Sequence, residues 1–176
     1  MALTNTYRNK IIDAITCRSS SNNSLLGFTE AYIGLSFTPP ASDGSGVVEP
    51  TIGIDGTGYT RTLIGKVGSN ASTTWLFKAA DNGETCNEKH IYFTEALTPW
   101  KNPQKLDSTD AEDHKLRYFV IFSSATSMDK SAVVAYAKLM HDGEEAPIHV
   151  TNPNTVVLFR PGDLVIKYVD ETVEGA

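Results

Sequence analysis

Only two cysteines, Cys17 and Cys86, occur in the chain. They lie far apart and neither belongs to a paired metal-ligand spacing. Zinc is therefore not indicated, and two buried free thiols are expected rather than a disulfide in a reducing cytoplasm. Long hydrophobic runs are missing too. No apolar stretch approaches the ~20 residues that carry a helix across a bilayer, so no membrane partner is expected. The opening Met1-Ala2-Leu3-Thr4-Asn5 lacks both the basic start and the continuous apolar core of a secretory signal. The expectation is a protein made in the cytoplasm that leaves it, if at all, by some other route. Positive charge is also scarce: 15 Lys and Arg face 21 Asp and Glu, a formal net charge of −6, and the basic residues are scattered singly. Nucleic-acid affinity rests on clustered cations that neutralise phosphates, so DNA and RNA are not expected partners.

Chemistry-bearing motifs are equally sparse. Gly53, Gly56 and Gly58 are close together, but no Lys-Ser/Thr pair follows and no helix begins there, so a phosphate cradle is excluded and the glycines read as turn residues. No Gly-x-Ser-x-Gly elbow exists, and His90, His114, His141 and His149 are dispersed. Glu84, Glu88 and Glu95 flank one strand pattern and Asp107, Asp110, Glu112 and Asp113 line a long loop; these read as solvated acids rather than a glycosidase pair. Asp43, Asp55, Asp81 and Asp142 each mark a turn, without the spacing of a calcium loop. The Asn70-Ala71-Ser72 and Asn22-Asn23-Ser24 sequons carry no force without a signal peptide. No catalytic residue, cofactor site or metal site is expected, and the chain reads as non-enzymatic.

What is present is a β pattern with one helix. Leu3, Tyr7, Ile11 and Ile15 recur every four positions, with Ile12 beside them, which predicts an amphipathic helix within residues 1–17, capped by Thr4 or Asn5. Arg8, Asn9, Lys10 and Asp13 are expected on its wet face. Such a helix either packs on its own domain, the favoured reading, or docks on a neighbouring subunit, which makes Tyr7 and Ile11 candidate partner-binding residues. The period then becomes two: Ala31, Ile33, Leu35 and Phe37 alternate with Tyr32, Gly34 and Ser36. Further strands are expected at Tyr59–Ile64, Trp75–Lys78, His90–Phe93, Leu116–Phe122 and Ala132–Met140. The closing run, Val156 to Val169, is broken at Pro161-Gly162-Asp163.

With 176 residues, 40% of them hydrophobic and 20% charged, the chain is expected to form a single globular domain, 1–176. Short strands bounded by turn residues, without strand–helix alternation or internal repeats, predict an all-β, mainly antiparallel β-sandwich or jelly-roll-like fold over residues 30–170. The helix precedes it, and a long polar loop spans 96–115. Tyr59, Trp75, Phe77, Tyr92, Phe93 and Trp100 are the residues from which a sugar-stacking platform would have to be built, although aromatics in alternating strands mainly fill cores. Trp100, with the adjacent Lys101, stands in a proline-flanked loop and is the remaining partner-binding candidate.

One ordered set of motifs runs through the chain. It comprises the Met1-Ala2-Leu3-Thr4-Asn5 start with its helix, then Tyr32-Ile33-Gly34-Leu35-Ser36-Phe37-Thr38-Pro39, then Gly58-Tyr59-Thr60-Arg61. Next come Tyr118-Phe119-Val120-Ile121-Phe122 with the turn Ser123-Ser124-Ala125-Thr126, the strand Val133–Leu139, and finally Phe159-Arg160-Pro161-Gly162-Asp163-Leu164. This order resembles small bacteriophage virion structural proteins of the phage tail fibre or minor tail protein type. The segment His90–Lys115 is longer than in that family, and Asp113-His114-Lys115-Leu116-Arg117 replaces its usual entry into the aromatic strand. The resemblance implies a virion location and a structural role on the tail, with other phage structural proteins as partners and self-association as a homo-oligomer. It carries no catalytic residues. Capsid decoration or head-fibre placement, and a host-glycan-binding module, are the alternatives.

Overall fold

A computed structural model describes residues 3–18, 26–50, 59–68, 75–96, 99–152 and 155–168. The turn at Asp55–Gly58, the glycines at 53, 56 and 58, both sequons, the polar loop from Ser19 to Ser24 and the terminal Val169 all lie outside the described residues. The described residues are mostly β, with antiparallel pairing throughout and one α-helix among them.

Helix α1, Asn5–Ile15, starts at Thr4, whose carbonyl accepts from the Tyr7 and Arg8 N–H groups while its side chain makes no capping bond. A four-stranded sheet in the order β2-β1-β5-β6 is built from β1 (Glu30–Ser36), β2 (Thr62–Lys66), β5 (Tyr118–Phe122) and β6 (Val133–Lys138). Three two-stranded pairs accompany it: β3 (Glu84–Cys86) with β10 (Val165–Lys167), β4 (Ile91–Ala96) with β9 (Thr155–Phe159), and β7 (Met140–His141) with β8 (Glu144–Glu145). Short 3-10 turns at Ala111–His114 and Lys130–Ala132 lead into β5 and β6.

The period-two stretch at Ala31–Phe37 forms β1, with Ala31, Ile33, Leu35 and Phe37 all buried. Register places Ile33 opposite Ile121 and Leu35 opposite Phe119, so these side chains share one face. They join Ile91 and Phe93 of β4, Val157 and Phe159 of β9, Phe77, Leu116 and Leu164 in one apolar cluster. Two expected strands are shorter than the alternation implies. Trp75–Lys78 contributes only an isolated bridge, Phe77 to Asn87, and β2 begins at Thr62, leaving Tyr59 and Arg61 outside the strand. The Pro161-Gly162-Asp163 turn is present: Asp163 N–H donates to Arg160 O at 3.0 Å and Gly162 takes φ +92°, where a side chain would be strained. Cys17 is buried and Cys86 half-buried, both free, so only the first thiol is enclosed as expected. Burial, aided by the Glu30 charge, pushes the Cys17 thiol up to about 11.

Candidate functional site

The densest polar cluster forms where β2 stops short of the end of β1. From there the strand edge of β1 is completed by other groups: Leu35 N–H donates to the Tyr59 hydroxyl at 2.8 Å, and Phe37 N–H to Val48 O at 2.9 Å. Tyr59 is thereby held at the sheet margin, its ring stacked on Phe93 at 5.8 Å and edge-on to Trp100 at 5.4 Å. Its hydroxyl donates to Glu49 Oε1 at 2.6 Å. Burial first, then the Glu49 carboxylate, raises the phenol well above its ordinary value, so the hydroxyl remains a donor.

Glu49 is in turn gripped by Arg61. Nε donates to both carboxylate oxygens at 3.1 Å and Nη2 to Oε2 at 2.6 Å, and both side chains are almost wholly buried. The far end of the guanidinium reaches the turn after β5: Nη1 donates to Ser124 O and Ser127 O, each at 2.9 Å, and Nη2 to Met128 Sδ at 3.7 Å. Its Cζ lies over the Phe122 ring, 3.5 Å from the centroid. A guanidinium has five N–H donors, and every one finds an acceptor here. A cavity of about 220 Å³ adjoins the pair, bordered by Gly46, Val47, Phe122, Met128 and Val133. With its donors already engaged, Arg61 has none left for a ligand, and the cluster acts as a polar cross-link between segments distant in sequence.

Gly34 makes this arrangement feasible. A Cβ there would lie 2.6 Å from Glu49 Oε1, 2.6 Å from the Tyr59 hydroxyl and 2.9 Å from a Phe122 ring carbon. Neither Gly34 nor Glu49 stood out in the sequence. A second cross-link is formed by Asn87, which is fully buried. Its Nδ2 donates to Lys89 O at 2.9 Å and Arg160 O at 2.8 Å, while Oδ1 accepts from Leu164 N at 2.9 Å. Asn87 thus clamps the turn that precedes β10.

The partner-binding candidates divide. Trp100 is corrected from an exposed contact to a core residue: it is 1% exposed, packed on Tyr59. It joins Tyr59 and Phe93 in the apolar cluster. Buried His114 accepts from Asn102 N–H at Nδ1 (3.3 Å) and approaches Ser108 O through Nε2 (3.0 Å), which fixes the tautomer with the proton on Nε2. Lys101 is exposed beside the buried indole. The sugar-stacking set is dismantled in the same way, because Tyr59, Phe77, Phe93 and Trp100 are all core.

Helix α1 corrects the expected division into faces. Asn9 Oδ1 accepts from Gly83 N–H at 2.7 Å and Asp13 Oδ1 from Ala80 N–H at 3.0 Å, so these two residues dock the helix rather than face water. Ile12 and Ala14 are buried alongside, whereas Tyr7 is 60% exposed and Ile11 half-buried. The helix packs on its own chain and turns Tyr7 outward.

Among the described residues, no group of three or more His, Cys, Asp or Glu gathers to hold a metal ion. No helix among them is long and apolar enough to cross a membrane. Comparison with known proteins finds no matching family model and no curated protein of similar sequence.

Proposed function

We propose that the chain is a non-enzymatic structural component of a bacteriophage particle, a β-sandwich-like module placed on the tail as a fibre or minor tail component. It assembles there through contacts with other phage structural proteins. The observation that carries this reading is the meeting of separate motifs at one buried ion pair. Tyr59 and Arg61 of the Gly-Tyr-x-Arg motif engage Leu35 of the first strand motif and Ser124 of the turn after the aromatic strand, all around Glu49. Three of the motifs that resemble phage virion proteins therefore meet in one scaffold. The sandwich-like description is supported by the apolar cluster shared between the four-stranded sheet and strands β4 and β9.

An antibody against the chain, applied to intact particles and viewed by electron microscopy, is expected to label tails. Label on heads would replace the tail placement with capsid decoration. Particles without label would end the virion proposal.

A further inference from the structure

The two edges of the four-stranded sheet are treated differently. Along β2, Leu76 N–H donates to Ile64 O at 2.9 Å and Thr62 Oγ1 donates to Tyr92 O at 3.0 Å, so that edge is partly covered. The opposite edge is longer and open. Strand β6 continues through Leu139 into β7, because Leu139 N–H donates to Arg117 O and Leu139 O accepts from Ala146 N–H, both at 2.8 Å. The inward bonds thus belong to the odd-numbered residues, and the N–H and C=O groups of Tyr136, Lys138 and Met140 point away from the sheet. No described group bonds to them. A bulge at Val134 marks one end of this edge, where the register shifts between Ile121 and Phe122, and the Asp142-Gly143 turn marks the other. Between them there is no proline, and Lys138 is the one strongly charged side chain. That is little protection for a strand that exposes Tyr136 and Met140.

We propose that this edge pairs antiparallel with the same edge of a second copy, across a two-fold axis through Ala137. The strand itself selects the occupant and the register. An isologous contact needs a surface complementary to itself, which an antiparallel strand edge supplies through its backbone. Centring the axis on Lys138 would set two ammonium groups, each held by Glu145 of its own copy, directly opposite each other with no ring between them. Centring it on Leu139 would run Tyr136 into the turn residue Asp142, whose φ of +51° ends the extended backbone. Centred on Ala137, each Lys138 falls opposite the partner copy's Tyr136, an ammonium beside an aromatic ring. The Tyr136 ring is already steadied edge-on to Tyr118 at 6.4 Å. The two four-stranded sheets then run on as one. The pairing stands on the edge geometry alone and does not depend on the virion placement.

Sedimentation over a range of concentrations, combined with residue-resolved amide exchange on the full chain, tests it. A concentration-dependent dimer is expected, with the Tyr136 and Lys138 amides, which pair with each other across the axis, slowed about tenfold or more in the dimer relative to the monomer. The Ala135, Ala137 and Leu139 amides should be protected in both. Tyr136→Pro removes an outward donor and leaves the ladder to β5 in place, so it should weaken dimerisation at least tenfold with odd-residue protection retained. A monomer at every concentration would overturn the proposal. So would a dimer in which those two amides still exchange freely, a measurement on the unmodified chain that holds even if the proline variant does not fold.

Discussion

On one face of the four-stranded sheet, Ile33, Leu35, Phe119 and Ile121 meet other apolar side chains; on the other, Gly34, Val120 and Phe122 lie under or beside Glu49, Arg61 and the Tyr59 hydroxyl. Apolar contact is non-directional, so the first face loses stability in proportion to the side chain removed. Charge-assisted hydrogen bonds are directional, and a buried charge that loses its partner is worse than no charge. The second face therefore depends on a complete set of bonds, and one missing member exposes the rest.

Breaking the polar face at its centre gives the largest expected effect. Arg61→Ala strands the buried Glu49 carboxylate and should lower unfolding free energy by about 3–5 kcal/mol in denaturant titration. The double variant Glu49→Leu/Arg61→Met should recover much of that loss. If it does not, the bonds to Ser124 and Ser127, rather than charge compensation, hold this face. On the apolar face, Leu35→Ala is expected to remove about 3 kcal/mol by the same measurement, with no comparable rescue from a second site.

Smaller changes sharpen the contrast. Gly34→Ala adds one methyl against Glu49 and Tyr59 and should destabilise by about 1–3 kcal/mol, the overpacking range, although alanine suits a strand better than glycine. Tyr59→Phe leaves Leu35 N–H without its acceptor and should remove about 1–3 kcal/mol. Two of the raised acids, Cys17 and Tyr59, also set an alkaline limit. Their neutral forms are favoured in the fold, so stability is complete below the unfolded values, 9.0 for Cys17 and 10.0 for Tyr59, and falls as pH rises, for Cys17 until about 11. Denaturation midpoints measured from neutral pH upward should show that decline, and Cys17→Ala should flatten its first part. Least of all, Lys130→Ala, which removes a solvent-exposed pair with Asp43, should leave the midpoint unchanged.

How legible each region was in the sequence follows the same division. Alternation exposes an apolar face directly, and Ala31, Ile33, Leu35 and Phe37 could be read from their spacing. The polar face has no period. Glu49 is an unremarked acid beside a proline, and Gly34 matters for a side chain it lacks. Asn87 acts on Arg160 and Leu164, more than 70 residues away. Trp100 is legible only as a loop residue, because flanking prolines describe the local backbone and say nothing of what packs around it. On α1, the apolar stripe was visible, but Asn9 and Asp13 form bonds to backbone that no amphipathic pattern reveals.

Those two helix bonds bear on how the protein can evolve. Among the described residues, the Asn9 and Asp13 side chains accept from main-chain N–H groups, at Gly83 and Ala80. A main-chain donor is the same for every residue but proline, so these two anchors are written in chain path rather than residue identity, whereas the Asn5 Nδ2 bond to Asn82 Oδ1 at 3.2 Å depends on the side chain. Ala80 can be exchanged for most residues while its backbone conformation holds. Gly83 is less free, because its φ of +76° and the Arg8 side chain 3.1 Å from a would-be Cβ both resist a side chain. The helix can therefore keep its place while part of the segment beneath it drifts, leaving the outward Tyr7 to vary under separate selection.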